Sequence, residues 1–291
     1  MSFETGKKFL DMILDADERC NSYITSTNCD GVMINFIGGE PWLEIDLISK
    51  LSDYFILQLF KRKHPWAIKF NFSVCSNGLL HFDPRVQKYL YEHRNHHGYN
   101  ISIDGNKELH DSCRVDHRGK GTYNRAIAGV KDFREKYGDM MSSKMTLAPE
   151  NIDKLYDALV EMIGVNKYNN INLNCIYEKG WTEEHAKIFY WELHKIIDWL
   201  FDNNLQYKVS LSLFTQACGV PIPPEETKNW CGGTGMMLAL DYNGNIYPCL
   251  RYMECSSNAE QPLYIIGNID DGIGHCKEHC DRIHCLDSIT R

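Results

Sequence analysis

Three short turns and one arginine carry side chains that could bind a charged small molecule. Gly38-Gly39-Glu40-Pro41 offers two glycines that let a ligand approach the backbone and a carboxylate that can pair with an ammonium group. Ser76-Asn77-Gly78 is a second polar turn. Ser102 and Asp104 fall on one face of a strand by alternation, and together they suit a ribose diol. Arg114, in a His-Asp-x-x-Arg segment, can grip a carboxylate with two hydrogen bonds.

Each of these segments also has a purely structural explanation when it is considered alone. A Gly-Gly-Glu or Asp-Gly sequence is common in plain turns, and Arg114 could form a surface ion pair. The order in which the segments follow one another is more specific than any single one.

The turns follow apolar runs that predict strands, and helical patterns separate these runs. The predicted strands are Val32–Ile37, Lys69–Cys75, Tyr99–Ile103, Lys144–Leu147 and Ile171–Cys175. The predicted helices cover about 4–21, 43–60, 123–137, 152–163 and a stretch from Thr182, as N-cap, to near Leu200. This alternation indicates an α/β fold with a parallel sheet, in which the loops at the carboxyl ends of the strands meet at one rim.

The composition narrows the class of protein. The chain has 291 residues, 31 Lys and Arg against 39 Asp and Glu, and a formal charge of −8. An acidic balance argues against binding to nucleic acid. No apolar stretch approaches the roughly 20 residues that span a bilayer, and the amphipathic N-terminus does not resemble a signal peptide, so we expect a cytoplasmic protein without a membrane partner. Twelve cysteines favour metal ligation, with buried thiols as the alternative.

The pattern changes near residue 209, where Gly, Pro and Cys become denser. Residues 238–247 read as a β-hairpin with an Asn-Gly turn. We therefore predict a main α/β domain over residues 1–208 and a small cysteine-bearing module over residues 209–291.

The joint order of these motifs resembles that of the radical S-adenosylmethionine enzymes, and within them the peptide-maturase and sulfatase-maturase branch. The order is Gly-Gly-Glu-Pro, Ser-Asn-Gly, Ser-Ile-Asp-Gly, His-Asp-x-x-Arg and then Gly119-x-Gly121-Thr122. In the tail, Cys231, twelve residues, Gly244, four residues and Cys249 match the SPASM module, which carries auxiliary iron–sulfur clusters. The nearest subgroup matures peptides with repeated cysteines. The resemblance implies a partial (β/α) barrel that lacks its first strand, followed by a small β-hairpin module.

The resemblance also implies roles for individual residues. Gly38, Gly39 and Glu40 would hold the ammonium of S-adenosylmethionine, Arg114 its carboxylate, and Ser102 and Asp104 its ribose, with Ser76 and Asn77 nearby. Cys231, Cys249 and Cys255 would be ligands of an incomplete auxiliary 4Fe-4S cluster, and the roles of Cys276, Cys280 and Cys285 stay open. The implied partners are a cysteine-containing substrate peptide and an electron donor protein, and the implied product is a thioether or a related cross-link.

The sequence differs from the family pattern at two places, and these differences bear on whether we expect the chain to be active. The family has a Cys-x-x-x-Cys-x-x-Cys loop that holds the catalytic 4Fe-4S cluster, and this chain begins at about the point where that loop should end. The family also continues into further cysteine ligands beyond the position of Arg291. We therefore expect this shortened homologue to be inactive. The alternatives are a non-catalytic module that binds the cofactor or a peptide, and a zinc-binding protein that uses Cys231, Cys249 and the late His-Cys pairs.

Overall fold

A computed structural model of the chain describes residues 1–15, 29–138, 141–176, 180–214, 236–253 and 264–273. The described residues divide into two compact units. The first unit draws on the described residues within 1–34, 46–71 and 221–291, and the second on those within 35–45 and 72–220. The predicted boundary near residue 208 remains a prediction.

A six-stranded sheet contains all five predicted strands. Its strands are β1 (Val32–Phe36), β2 (Phe70–Ser76), β3 (His97–Ser102), β4 (Ser143–Leu147), β5 (Asn170–Cys175) and β6 (Ser210–Leu211). They lie side by side in chain order, and every pairing from β2 to β6 is parallel. The predicted α/β fold is therefore confirmed. The two-residue strand β6 was not predicted, because so short a strand leaves no apolar pattern.

Helices connect the strands. They are α1 (Phe3–Asp15), α2 (Ile45–Lys61), α3 (Pro84–Glu92), α4 (Lys107–Cys113), α5 (Tyr123–Tyr137), α6 (Leu155–Val160) and α7 (Glu183–Asp202). Thr182 is the N-cap of α7, as predicted, and its side chain accepts a hydrogen bond from the backbone of His185. Residues 16–21, predicted as the end of the first helix, lie outside the described residues.

One face of the sheet forms the core of the second unit, where strand residues alternate between a buried and a more open side. The buried side chains are Phe72, Val74, Tyr99, Ile101, Met145, Leu147, Ile171 and Leu173. Aromatic contacts join this face to neighbouring helices: Phe133 of α5 lies 5.3 Å from Tyr99, measured between ring centroids. The opposite face is polar and partly or fully exposed, with Cys75, Asn100, Lys144, Thr146, Asn172 and Asn174.

In the first unit, α1 packs closely against α2. A Cβ added at Gly6 would lie 2.8 Å from the Leu51 side chain, so glycine permits this approach. The Tyr54 hydroxyl donates to the Asp11 carboxylate at 2.8 Å, and Arg62 donates to the same carboxylate at 2.5 Å. Burial and this carboxylate raise the pKa of Tyr54 to about 12.

A separate antiparallel sheet includes the predicted hairpin. Its strands are β7 (Ala239–Leu240), β8 (Asn245–Tyr247), β9 (Gly267–Asn268) and β10 (Gly272–Ile273), in the order β10-β9-β8-β7. The Asp241 carboxylate organises the β7–β8 turn, because it accepts hydrogen bonds from the backbone of Asn243 and Asn245 and from the Tyr247 hydroxyl. Gly244 takes φ +88°, which favours glycine.

Candidate functional site

The Gly-Gly-Glu-Pro turn follows β1 and starts a 3-10 helix over Pro41–Glu44. Glu40 is the N-cap of this helix, and its carboxylate accepts a hydrogen bond from the Trp42 backbone at 3.2 Å. Pro41 occupies the first helical position, where its lack of an N–H group has no cost. The sequence therefore places the Glu40 carboxylate at the carboxyl rim, by which we mean the region around the carboxyl ends of the parallel strands.

The end of the neighbouring strand β2 holds the same carboxylate. The Ser76 hydroxyl donates to Glu40 Oε1 at 2.8 Å, and the Asn77 backbone N–H donates to Glu40 Oε2 at 2.7 Å. Ser76 is buried, and its oxygen also accepts from the Gly78 N–H at 2.9 Å. Glu40 thus accepts three hydrogen bonds where a carboxylate offers about four sites. It retains capacity for one further donor, such as an ammonium group.

The two glycines beside Glu40 leave room for a ligand. A Cβ added at Gly38 or at Gly39 would meet no heavy atom of the described structure within 4 Å. Both residues are exposed. The Asn77 side chain, in contrast, caps its own turn by accepting from the Leu79 N–H at 2.9 Å. Asn77 therefore contacts Glu40 through its backbone rather than through its side chain.

Asp104 and Arg114 form a second polar group at the rim, after β3. Asp104 is buried, and its Oδ1 accepts from the Thr146 backbone N–H on β4 at 2.8 Å. The Arg114 guanidinium donates to Asp104 Oδ2 and is 31% exposed. Among the described residues Asp104 is the one side chain that accepts from this guanidinium, which carries five N–H donors. Arg114 can therefore bind an additional anion while Asp104 orients it.

His110 stabilises this second group and was not singled out from the sequence. Its Nδ1 accepts from the Asp104 backbone N–H at 3.2 Å, and its Nε2 lies 3.0 Å from the Thr122 hydroxyl, which donates to the Arg114 carbonyl. These partners require a neutral ring with its proton on Nε2. Burial, and then the nearby Arg114 charge, lower the pKa of His110 to about 4, which agrees with that form.

Ser102 is the last residue of β3, two positions before Asp104. Its hydroxyl is 3.5 Å from the Cys75 thiol on the adjacent strand, and Cys75 precedes Ser76 in the chain. The structure thus brings Gly38, Gly39, Glu40, Ser76 and Asn77 together at the ends of β1 and β2, and it brings Asp104 and Arg114 together after β3. The direct pairing of Asp104 with Arg114 was not predicted, because the two lie ten positions apart in the chain, with a loop and a helix between them.

The cysteines of the described residues do not assemble a metal site. No three His, Cys, Asp or Glu side chains in the described ranges form a group that could hold a metal ion. Cys249 is half-buried at the start of a 3-10 helix over Leu250–Tyr252. Cys231 and Cys255 lie outside the described residues, as do Cys276, Cys280 and Cys285. Burial raises the pKa of the Cys175 thiol.

No helix among the described residues is both long enough and apolar enough to span a membrane.

No family model matches the chain. The chain is similar to a cysteine-type anaerobic sulfatase-maturating enzyme of Clostridium novyi (strain NT), with 23% identity over 232 residues, which are 75% of this chain and 58% of that relative.

Solved structures of similar fold include native anSMEcpe with bound AdoMet, with a TM-score of 0.66 and 19% identity over 96% of this chain and 71% of that one. Native anSMEcpe with bound AdoMet and Kp18Cys peptide gives a TM-score of 0.63 and 20% identity over 96% of this chain and 72% of that one. The chain therefore has the fold of this enzyme and is similar in sequence to a sulfatase-maturating enzyme, which confirms the predicted resemblance to the sulfatase-maturase branch of the radical S-adenosylmethionine enzymes.

Proposed function

We propose that the carboxyl rim binds S-adenosylmethionine and that the protein is a homologue of enzymes that modify peptides; its expected inactivity stays a prediction. The observation that carries the proposal is the Glu40 carboxylate, which three donors hold in place beside two glycines with open backbone. An amino-acid ligand is a zwitterion and needs an anion and a cation as partners. Glu40 follows β1, and Arg114 follows α4 and donates to Asp104, which lies just after β3 of the same sheet, so these two residues supply the pair.

Within this proposal each rim residue has a distinct part. Glu40 accepts from the ammonium group, and Arg114 donates to the carboxylate of the methionine moiety. Both Asp104 oxygens are already engaged, by Thr146 and by Arg114, but a carboxylate has about four acceptor sites, so two remain for ribose hydroxyls. The buried Ser102 hydroxyl adds a further hydrogen-bonding group at the same strand end. Gly38 and Gly39 let the ligand lie against the backbone.

Bound next to a reduced iron–sulfur cluster, this cofactor supplies radical chemistry that can remove a hydrogen atom from a substrate. The described residues offer no group of three ligands for such a cluster. Ligation of an auxiliary cluster by Cys231, Cys249 and Cys255 remains a prediction.

A peptide substrate is the second part of the proposal. One structural neighbour holds a bound Kp18Cys peptide, and another holds a bound Cp18Cys peptide. The polar face of the sheet carries Asn100, Thr146, Asn172 and Asn174, whose amides and hydroxyl can donate to and accept from peptide groups. The chain spans only 58% of the length of the curated relative. We propose in addition a cysteine-containing substrate peptide, an electron donor protein and a thioether product.

Calorimetric titration with S-adenosylmethionine tests the cofactor site. We expect wild-type protein to bind, and Glu40→Gln to weaken binding by about ten- to a hundredfold, because the ammonium loses a charge-assisted hydrogen bond. Glu44→Gln is the matched control, since Glu44 is an exposed carboxylate in the same short helix. If the Glu40→Gln variant bound S-adenosylmethionine with wild-type affinity, Glu40 would not be part of the binding site.

A further inference from the structure

A surface cavity of about 550 Å³ lies in the second unit, away from the carboxyl rim. Its walls are formed by Gln87 and Tyr91 of α3, by Arg94 just after α3, and by Lys136 and Tyr137 at the end of α5. Helices α3 and α5 lead into β3 and β4, so their last turns lie toward the amino-terminal ends of these parallel strands. The cavity is therefore at the opposite end of the sheet from the proposed cofactor site, and its volume suits a small-molecule ligand.

Arg94 lines the cavity with a guanidinium that has no carboxylate partner within the described part of the chain. Its Nη1 donates to the Tyr91 carbonyl at 2.8 Å, and its Cζ lies 4.5 Å from the centre of the Tyr91 ring. These two contacts hold the guanidinium close to α3. Since a guanidinium carries five N–H donors, most of them remain for a ligand.

Lys136 supplies a second cation, and two neighbours hold its ammonium group. Its Nζ donates to Gln87 Oε1 at 2.7 Å and to Asp132 Oδ2 at 3.0 Å. The Gln87 amide is used on both sides, because its Nε2 donates to the His81 carbonyl at 2.7 Å. An ammonium group has three N–H donors, so Lys136 retains one for a ligand. Gln87 and Asp132 thus position the lysine.

The cavity is cationic although the chain as a whole is acidic. The formal charge of the protein is −8, whereas Arg94 and Lys136 bring two positive charges to the cavity wall. Among the described residues, Asp132 is the one carboxylate that pairs with either of them. One positive charge is therefore not compensated by a neighbouring side chain, and the cavity favours an anion.

Two tyrosine rings give the same cavity flat walls. Tyr91 is 61% exposed. The Tyr137 ring is fixed from behind, because its centroid lies 4.8 Å from that of Phe133 and 6.0 Å from that of His97. Tyrosine rings stack on nucleobases of any type, since every base has a π-face. The cavity therefore suits a ligand that combines an anionic group with a flat ring.

We propose that this cavity binds a mononucleotide, with its phosphate at Arg94 and Lys136 and its base against the two tyrosine rings. Arginine and lysine both bind phosphate oxygens, the first through several N–H groups and the second as a point charge. The Gln87 amide is already engaged, so we expect little preference among the bases. The inference goes beyond the proposed function and does not depend on it.

Calorimetric titration with uridine 5′-monophosphate tests the site, because its pyrimidine differs from the adenosyl group expected at the carboxyl rim. Two fragments are titrated beside it: uridine carries the ring without the phosphate, and inorganic phosphate carries the anion without the ring. We expect the wild-type protein to bind the nucleotide at least about tenfold more tightly than either fragment. Equal affinity for the nucleotide and for one of the fragments would overturn the proposal.

Substitutions in the cavity test the two halves of the ligand separately. Arg94→Gln should weaken binding of uridine 5′-monophosphate by about ten- to a hundredfold through lost charge-assisted hydrogen bonds, and Tyr91→Leu by about five- to a hundredfold through lost stacking. Arg85→Gln is the matched control, because Arg85 is also an exposed arginine of α3 but pairs with Asp83. Both cavity residues are exposed, so we expect the variants to fold, and thermal denaturation checks this. Wild-type affinity in Arg94→Gln would contradict the assignment.

The Glu40→Gln variant distinguishes this site from the proposed cofactor site. We expect it to bind uridine 5′-monophosphate as the wild type does, and we expect Arg94→Gln to bind S-adenosylmethionine as the wild type does. Loss of nucleotide binding in Glu40→Gln would place the nucleotide at the carboxyl rim and overturn this inference. Nucleotide binding that depends on Arg94, in a protein that does not bind S-adenosylmethionine, would instead reject the proposed function and support this inference.

Discussion

At the scale of single residues, the candidate site depends on how the Glu40 carboxylate is held. Partial burial of a carboxylate raises the free energy of the folded state unless hydrogen-bond donors replace the lost water molecules. Here the donors are the Trp42 and Asn77 backbone N–H groups and the Ser76 hydroxyl. Ser76 has two roles, because it also accepts from the Gly78 N–H inside the turn. A change at Ser76 should therefore affect both the site and the fold.

We expect Ser76→Ala to lower the affinity for S-adenosylmethionine by about three- to tenfold and the free energy of unfolding by about 1–2 kcal/mol, because one donor to Glu40 and one acceptor for Gly78 are lost. Calorimetry and urea denaturation measure the two effects. Ser143→Ala is the matched control: Ser143 is equally buried, but it lies at the opposite, amino-terminal end of β4. An affinity loss of the same size in the control would contradict a specific role for Ser76.

At the scale of elements, the turn after β3 positions Asp104 by close packing. Gly105 takes φ +87°, and a Cβ there would lie 2.6 Å from the Ala158 Cβ on α6 and 3.0 Å from the Leu109 side chain on α4. Glycine is thus required both by the backbone conformation and by the approach of two helices. This turn connects β3 to α4. Gly105 therefore affects both the position of Asp104 and the packing of the two helices.

Gly105→Ala should destabilise the protein by more than about 2 kcal/mol, because backbone strain and steric overlap add. Gly119→Ala provides the comparison: Gly119 takes φ +74°, but its added Cβ would meet no heavy atom of the described structure within 4 Å. The control should therefore lose only about 1–2 kcal/mol through strain. If urea denaturation gave the same loss of unfolding free energy for both variants, the steric overlap at Gly105 would contribute no destabilisation, and this prediction would be wrong.

Elements with a strong local pattern were predictable, and those that depend on distant contacts were not. The alternating apolar runs predicted strands β2 to β5 within two residues, and Thr182 predicted the start of α7. The single helix expected over 152–163 is instead a 3-10 helix (Pro149–Lys154), an α-helix (α6) and a π-helical turn (Glu161–Val165). The tautomer of His110 and the Asp104–Arg114 pair depend on tertiary contacts, which residue spacing does not reveal.

At the scale of the whole molecule, buried histidines determine the response to acid. Burial lowers the pKa of His64, His81, His97 and His110. Each of these residues stays neutral in the folded protein at a pH where the unfolded chain would already bind a proton. Stability conferred by carboxylates with a lowered pKa, such as Asp83 beside Arg85, is lost only at still lower pH. Destabilisation by acid should therefore begin with the histidines.

His110 alone should account for about 3 kcal/mol of this loss, because its pKa lies near 4 in the folded protein and near 6.5 in the unfolded chain. The free energy of unfolding should fall as the pH decreases from 6.5 to 4. We expect His110→Asn to flatten this dependence by a similar amount, since Asn does not titrate, whereas the exposed control His117→Asn should not. Denaturation curves at several pH values measure the slope, and an unchanged slope in His110→Asn would contradict the assignment.

The bond between Asp104 Oδ1 and the Thr146 amide has a consequence beyond the rim. The backbone pairing of β3 with β4 ends at Ser102 and Lys144, so this amide depends on a carboxylate where a strand would normally offer a carbonyl. Any movement that draws Asp104 away deprives Thr146 of its acceptor. The rate at which the Thr146 amide exchanges its hydrogen with solvent should therefore rise when Asp104 moves, so it reports from within the sheet on changes at the site.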